Sequence, residues 1–112
     1  MMNYKTINSV DESKKILEEN EGLLFFFSTT KCSLGEALEP KVYALIKNNY
    51  PKISFYFIDM MQYPELAAHY GVFVEPTILI FFDGKENIRK SRNIGIEELS
   101  LAISRLYKII FD

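Results

Sequence analysis

The chain has 112 residues, 48% apolar, 14% aromatic and 25% charged, with a formal net charge of -2. This length predicts one domain, 1–112, built around a single core. Lysines and arginines are scattered among acids without a basic stripe, so nucleic acid is not an expected partner. One cysteine excludes an internal disulfide framework, and Cys32 with His69 cannot complete a four-ligand zinc site.

Residues 1–20 contain no apolar leader core, and no run approaches the ~20 apolar residues needed to span a bilayer. The expectations are therefore no membrane association and a cytoplasmic location. No cofactor and no metal are called for. Tyr4 to Ile7 reads as a short strand. Ser9-Val10-Asp11-Glu12 is a capping box, with Ser three residues before Glu, and opens a helix that runs to about Glu19 and ends at Asn20-Glu21-Gly22.

Leu23 to Ser28 is continuously apolar up to its last residue, the pattern of a central strand buried on both faces. From Leu34 to Asn48, Leu34, Ala37, Leu38, Val42, Leu45 and Ile46 recur at helical spacing. Pro40 interrupts them, so a kink or short break is expected. Ile53 to Ile58 is the next strand, ending at Asp59, and Pro64 to Tyr70 is a short helix stopped by Gly71. Thr77 to Phe82 is a further apolar strand, joined through the hairpin signal Asp83-Gly84 to Glu86–Arg92. Ile96, Leu99, Ala102, Ile103, Leu106, Ile109 and Ile110 then form one face of a terminal helix. The order implies an α/β fold: a mixed central sheet of about five strands with helices on both faces.

Cys32 falls just beyond the carboxyl end of a buried strand and at the start of a helix. Unpaired amide groups and the helix dipole favour a thiolate at such a position, and Lys31 acts in the same direction. The thiolate is the nucleophile in disulfide exchange. By contrast, His69 reads as a surface or packing residue, Phe25, Phe26, Phe27, Phe81 and Phe82 as core, and Met60-Met61 as loop filling.

Three strings give the chain a family likeness: Lys31-Cys32-Ser33-Leu34-Gly35 with Pro40 in the following helix, Pro64-Glu65-Leu66-Ala67-Ala68-His69-Tyr70-Gly71-Val72, and Glu75-Pro76-Thr77 leading into Ile78 to Gly84. In this order they resemble the thioredoxin superfamily from Leu23 to about Ile110. The resemblance implies the thioredoxin fold, a catalytic role for Cys32, and a cis Pro76 facing it. It further implies a substrate-binding surface of Lys31, Ser33, Leu34, Gly35, Glu75, Pro76 and Thr77, where the backbone of Glu75 pairs with substrate. Expected partners are protein or low-molecular-weight thiols and disulfides. A monomer is expected, with a dimer linked through Cys32 as the variant.

Two departures modify that expectation. Gly35 stands where the Cys-x-x-Cys motif has its second cysteine, and Phe26 stands where the family carries a buried acid that helps take up that cysteine's proton. The implied activity is thus thiol-disulfide exchange through one cysteine, with the mixed disulfide released by an external thiol, in the service of cell redox homeostasis. The competing expectation is a non-catalytic module that captures protein partners beside the cis-proline. Iron–sulfur binding of the monothiol glutaredoxin kind is disfavoured, because Cys32-Ser33-Leu34-Gly35 does not match Cys-Gly-Phe-Ser.

Overall fold

The computed structural model describes residues 4–29 and 33–111. Within them the order is β1 (Lys5–Thr6), α1 (Val10–Glu19), β2 (Gly22–Ser28), α2 (Ser33–Asn49), β3 (Ile53–Asp59), α3 (Pro64–His69), β4 (Thr77–Phe82), β5 (Lys85–Ser91) and α4 (Ile96–Phe111). The strands form one sheet in the order β1-β3-β2-β4-β5. β1 and β2 both run parallel to β3, whereas β4 is antiparallel to β2 and to β5.

β2 is the central strand, and all seven of its residues are buried. Its side chains alternate between two cores, as the twofold period of a strand requires. Leu24 and Phe26 join Leu38, Val42 and Ile46 of α2 and Leu99 and Ile103 of α4 on one face. Leu23, Phe25 and Phe27 join Leu66 and Ala67 of α3 and the α1 residues Ile16 and Leu17 on the other. A strand that faces helices on both sides has no polar face, which explains the unbroken apolar run in the sequence.

The capping box forms with a small variation. Ser9 Oγ accepts the Glu12 amide at 3.1 Å, while the Glu12 carboxylate accepts the amide of Asn8, one residue before the cap, at 2.7 Å. At the other end of α1, Asn20 donates its side-chain amide to the Ile16 carbonyl. β2 then starts one residue earlier than the apolar run suggests. Gly22 pairs with both Ile53 and Phe82, and a Cβ there would lie 3.1 Å from Ile53 Cγ1 and 3.2 Å from the Lys52 carbonyl.

Pro40 does not break α2, which continues as one helix from Ser33 to Asn49. The carbonyl deprived of its donor belongs to Glu36, and both Glu36 and Pro40 are exposed, so water can supply the missing bond. α2 is tied at its middle to the residue just before β1, where Tyr4 bonds to Glu39. Burial chiefly, and then that bond, push the Tyr4 phenol up to about 12. At its end Tyr50 reaches α4, its hydroxyl 3.0 Å from the Ser100 carbonyl and 2.9 Å from Ser100 Oγ. The hairpin between β4 and β5 turns through Asp83 and Gly84 with φ of 53° and 77°, both positive as a type I′ turn requires.

Candidate functional site

The site predicted around Cys32 lies where β2 gives way to α2. Ser28, the last residue of β2, pairs with Asp59, and its carbonyl accepts the Met60 amide at 2.8 Å, extending the β2–β3 contact past the strand end. β4 starts at the same end of the sheet and runs in the opposite direction, with Thr77 opposite Phe27. The segment before Thr77 therefore reaches the edge from which the chain runs on towards Cys32. Lys31 and Cys32 lie outside the described residues, as do the side chains of Ser33 and Leu34, whose backbones begin α2. Gly35 is buried in the first turn of that helix.

The Glu75–Pro76 peptide bond is cis. Pro76 is buried and Glu75 half-buried. Thr77 is 1% exposed, and its hydroxyl donates to the Val74 carbonyl at 2.7 Å while sharing a 3.0 Å bond with Ser91 Oγ. The Pro76 carbonyl accepts the Arg92 amide at 2.7 Å. Thr77 thus helps to hold the loop in shape from below. Glu75 differs from its neighbours, since its amide and carbonyl bond to no other described residue.

The approach to this segment is held from β5. Arg89 donates from Nη1 to the Gly71 carbonyl at 3.0 Å and from Nη2 to the Tyr70 carbonyl at 2.7 Å, capping the end of α3. Glu86 binds the same guanidinium through two bonds of 2.8 Å, and this hydrogen bonding holds its carboxyl below the ordinary range. Gly71, at φ 67°, takes the left-handed conformation that ends the helix. The chain from Val72 to Pro76 therefore leaves a fixed point and arrives at another.

Between those points the loop turns apolar side chains outward. Phe73 is 77% exposed and Val74 41%, and Met61, which follows β3 at the same end of the sheet, is 63% exposed. Met61 was read with Met60 as loop filling, but only Met60 packs against the core while Met61 turns outward; Phe73 and Val74 were missed because no motif extends past Val72 to reach them. The signal was a Phe-Val pair in a loop with no strand or helix period to bury it. Arg89 was also missed, and its contacts to residues 18 and 19 positions away leave no local signature.

Phe26 is fully buried on the α2 side of the sheet, its ring 6.0 Å from that of Phe55 and 6.2 Å from that of Phe57. Where the resemblance implies an acid, the structure has a packed aromatic cluster. His69 is exposed and lies edge-on to Tyr70, with ring centroids 4.8 Å apart. Among the described residues no group of His, Cys, Asp and Glu is placed to hold a metal ion, and no helix is long and apolar enough to cross a membrane.

A mixed five-stranded sheet with helices on both faces and a cis-proline immediately before β4 is the architecture of a thioredoxin-like redox protein. The Thioredoxin family model matches residues 4–105, so the chain belongs to the thioredoxin family. Among curated proteins it is similar to the thioredoxin-like protein YdfQ of Bacillus subtilis, 23% identical over 103 residues that span 92% of this chain and 91% of that one. Among solved structures it is similar to Fasciola hepatica thioredoxin, with 30% identity and a TM-score of 0.81 over 90% of this chain and 97% of that one. Oxidised mitochondrial thioredoxin 3 from Saccharomyces cerevisiae shares the fold, with 23% identity and a TM-score of 0.76 over 95% and 94% of the two chains.

Proposed function

We propose that this protein carries out thiol-disulfide exchange through Cys32 alone and relies on an external thiol to complete each cycle. The observation that carries the reading is Gly35, buried in the first turn of α2 where the family has its second cysteine. Phe26 agrees with it. An acid retained there without a second thiol to serve would be a buried charge with no partner, and an aromatic ring fills the space instead. A docking side is supported by Glu75, whose main chain bonds to no other described residue, and by the exposed Phe73 and Val74 immediately before it.

In the cycle, the Cys32 thiolate attacks the glutathione sulfur of a protein–glutathione mixed disulfide. The Cys32–glutathione S–S bond forms as the protein–glutathione S–S bond breaks, and the protein leaves as a thiolate that takes a proton from water. A glutathione thiolate then attacks the Cys32-bound glutathione, giving oxidised glutathione and restoring the Cys32 thiolate. The net reaction consumes one mixed disulfide and one glutathione and yields one protein thiol and one glutathione disulfide.

Two assays run side by side test this division of labour. The protein is expected to accelerate glutathione-dependent reduction of a glutathionylated peptide, yet to reduce insulin disulfides poorly. Gly35→Cys, which supplies an internal resolving thiol, should raise insulin reduction by about tenfold, a modest share of what an intramolecular reactant can give. No acceleration on the glutathionylated peptide would overturn the reading, as would insulin reduction by the unmodified protein as fast as by Gly35→Cys.

A further inference from the structure

Thioredoxins usually have an apolar residue before the cis-proline, and Glu75 puts an acid there. In a folded protein a half-buried carboxylate ordinarily finds a cation, and the neighbouring strand carries several. Arg89, however, is engaged by Glu86 and by the carbonyls of Tyr70 and Gly71, and Lys90 pairs with Glu98 at 2.9 Å. Arg92 meets the cis-proline through its backbone amide and forms no ion pair with Glu75. Among the described residues, no cation neutralises Glu75.

The main-chain amide and carbonyl of the same residue, the groups with which an extended strand pairs, bond to no other described residue. Phe73 and Val74 stand exposed immediately before it. The segment thus combines, within three residues, a backbone edge and a carboxylate that no other described residue pairs with, and an apolar side.

From this we infer that Glu75 is a specificity-determining residue, selecting extended polypeptides that carry lysine or arginine beside the disulfide-bonded cysteine. The inference rests on the proposed exchange reading for the identity of the reacting group, and on charge complementarity for the occupant. Apolar residues of the bound segment lie against Phe73 and Val74 while its cation meets the Glu75 carboxylate. Across a partly solvated gap of about 6 Å, exchanging a cation for an anion on the substrate changes affinity by about tenfold at low salt. The preference shrinks as ionic strength shortens the screening length. It acts on encounter and docking rather than on the thiol chemistry itself.

The test uses three peptides, identical except for Lys, Gln or Glu next to one cysteine, in two forms. In the first form the cysteine is glutathionylated and the rate of thiol release is followed; in the second it is replaced by serine and equilibrium binding is followed by NMR. The expected result is a Lys over Glu preference of about tenfold at low salt in both forms, with shifts at 73–76. Glu75→Gln should flatten the preference and Glu75→Lys should invert it. Equal binding of the three serine peptides, or a preference that survives Glu75→Gln, overturns the inference whatever the exchange rates show. A charge preference in binding without any exchange upholds the inference and removes the exchange reading; exchange that is blind to the flanking charge does the reverse.

Discussion

Cys32→Ser is expected to reduce the protein-dependent rate on a glutathionylated peptide by at least about a hundredfold, well within the losses that follow removal of a catalytic nucleophile. The hydroxyl keeps the side chain's size and polarity but does not ionise near neutral pH, so nothing remains to attack a disulfide sulfur. The position lies between a fully buried strand and a long helix, and serine suits the start of a helix at least as well as cysteine does. The thermal midpoint should therefore stay within a few degrees, which separates loss of chemistry from loss of fold. Peptide binding through 73–76 should also persist. A variant that retained most of the rate would show that the exchange does not pass through Cys32.

The second large effect concerns stability. Phe26→Asp restores the side-chain type that the family carries at this position, and it is expected to cost about 4 to 6 kcal/mol at pH 7. Removing the buried ring accounts for about 3 to 5 kcal/mol and the carboxylate left among Phe55, Phe57, Leu38 and Val42 adds the rest. For a domain of this size that loss approaches the whole stability. The pH dependence has a definite sign. Burial raises the pKa of an aspartate in the folded state above its unfolded value of about 3.9, so the folded state holds its proton to higher pH. The penalty is therefore smallest below about pH 4 and grows as pH rises towards neutrality. Urea unfolding at pH 4 and 7, with Phe26→Leu as a volume control costing about 1.5 kcal/mol or less, measures both parts. An aspartate tolerated as well as leucine would mean that this end of the core is open to water.

The order and kind of the elements were readable because each has a local cause. The Ser9–Glu12 box and the Asp83-Gly84 turn satisfy backbone groups within a few residues, and the unbroken apolar run of β2 marks a strand buried on both faces; each occurs where the pattern placed it, β2 starting one residue early. Where tertiary surroundings decide, the pattern was less informative. Pro40 carries a real penalty, but the carbonyl it orphans faces solvent and the helix does not break. Gly22 looked like the end of a turn, yet its lack of a side chain is what lets β2 begin there against Ile53 and Phe82.

The candidate site divides in the same way. The Glu75-Pro76-Thr77 string was legible as a motif, and the structure adds how it is held: Thr77 beneath Val74, Arg92 on the Pro76 carbonyl and Arg89 at the end of α3. The Thr77 bond is local, three residues back along the chain, but the two arginine contacts follow from no spacing, because they join loop to strand across the fold. The outward turn of Phe73 and Val74 is a consequence of the same anchoring. Val72, next to the first anchor, still reaches the core, whereas Phe73 and Val74 beyond it stand exposed.

The central claim is a covalent intermediate on one sulfur that a second molecule must clear, and acid-quenched mass spectrometry tests it most directly. The protein is mixed with a glutathionylated peptide without free thiol, quenched and weighed, then chased with glutathione. The account predicts one glutathione adduct per chain, located on Cys32, stable until glutathione is added and then lost. Failure of the adduct to form, or an adduct that glutathione does not release, would contradict it.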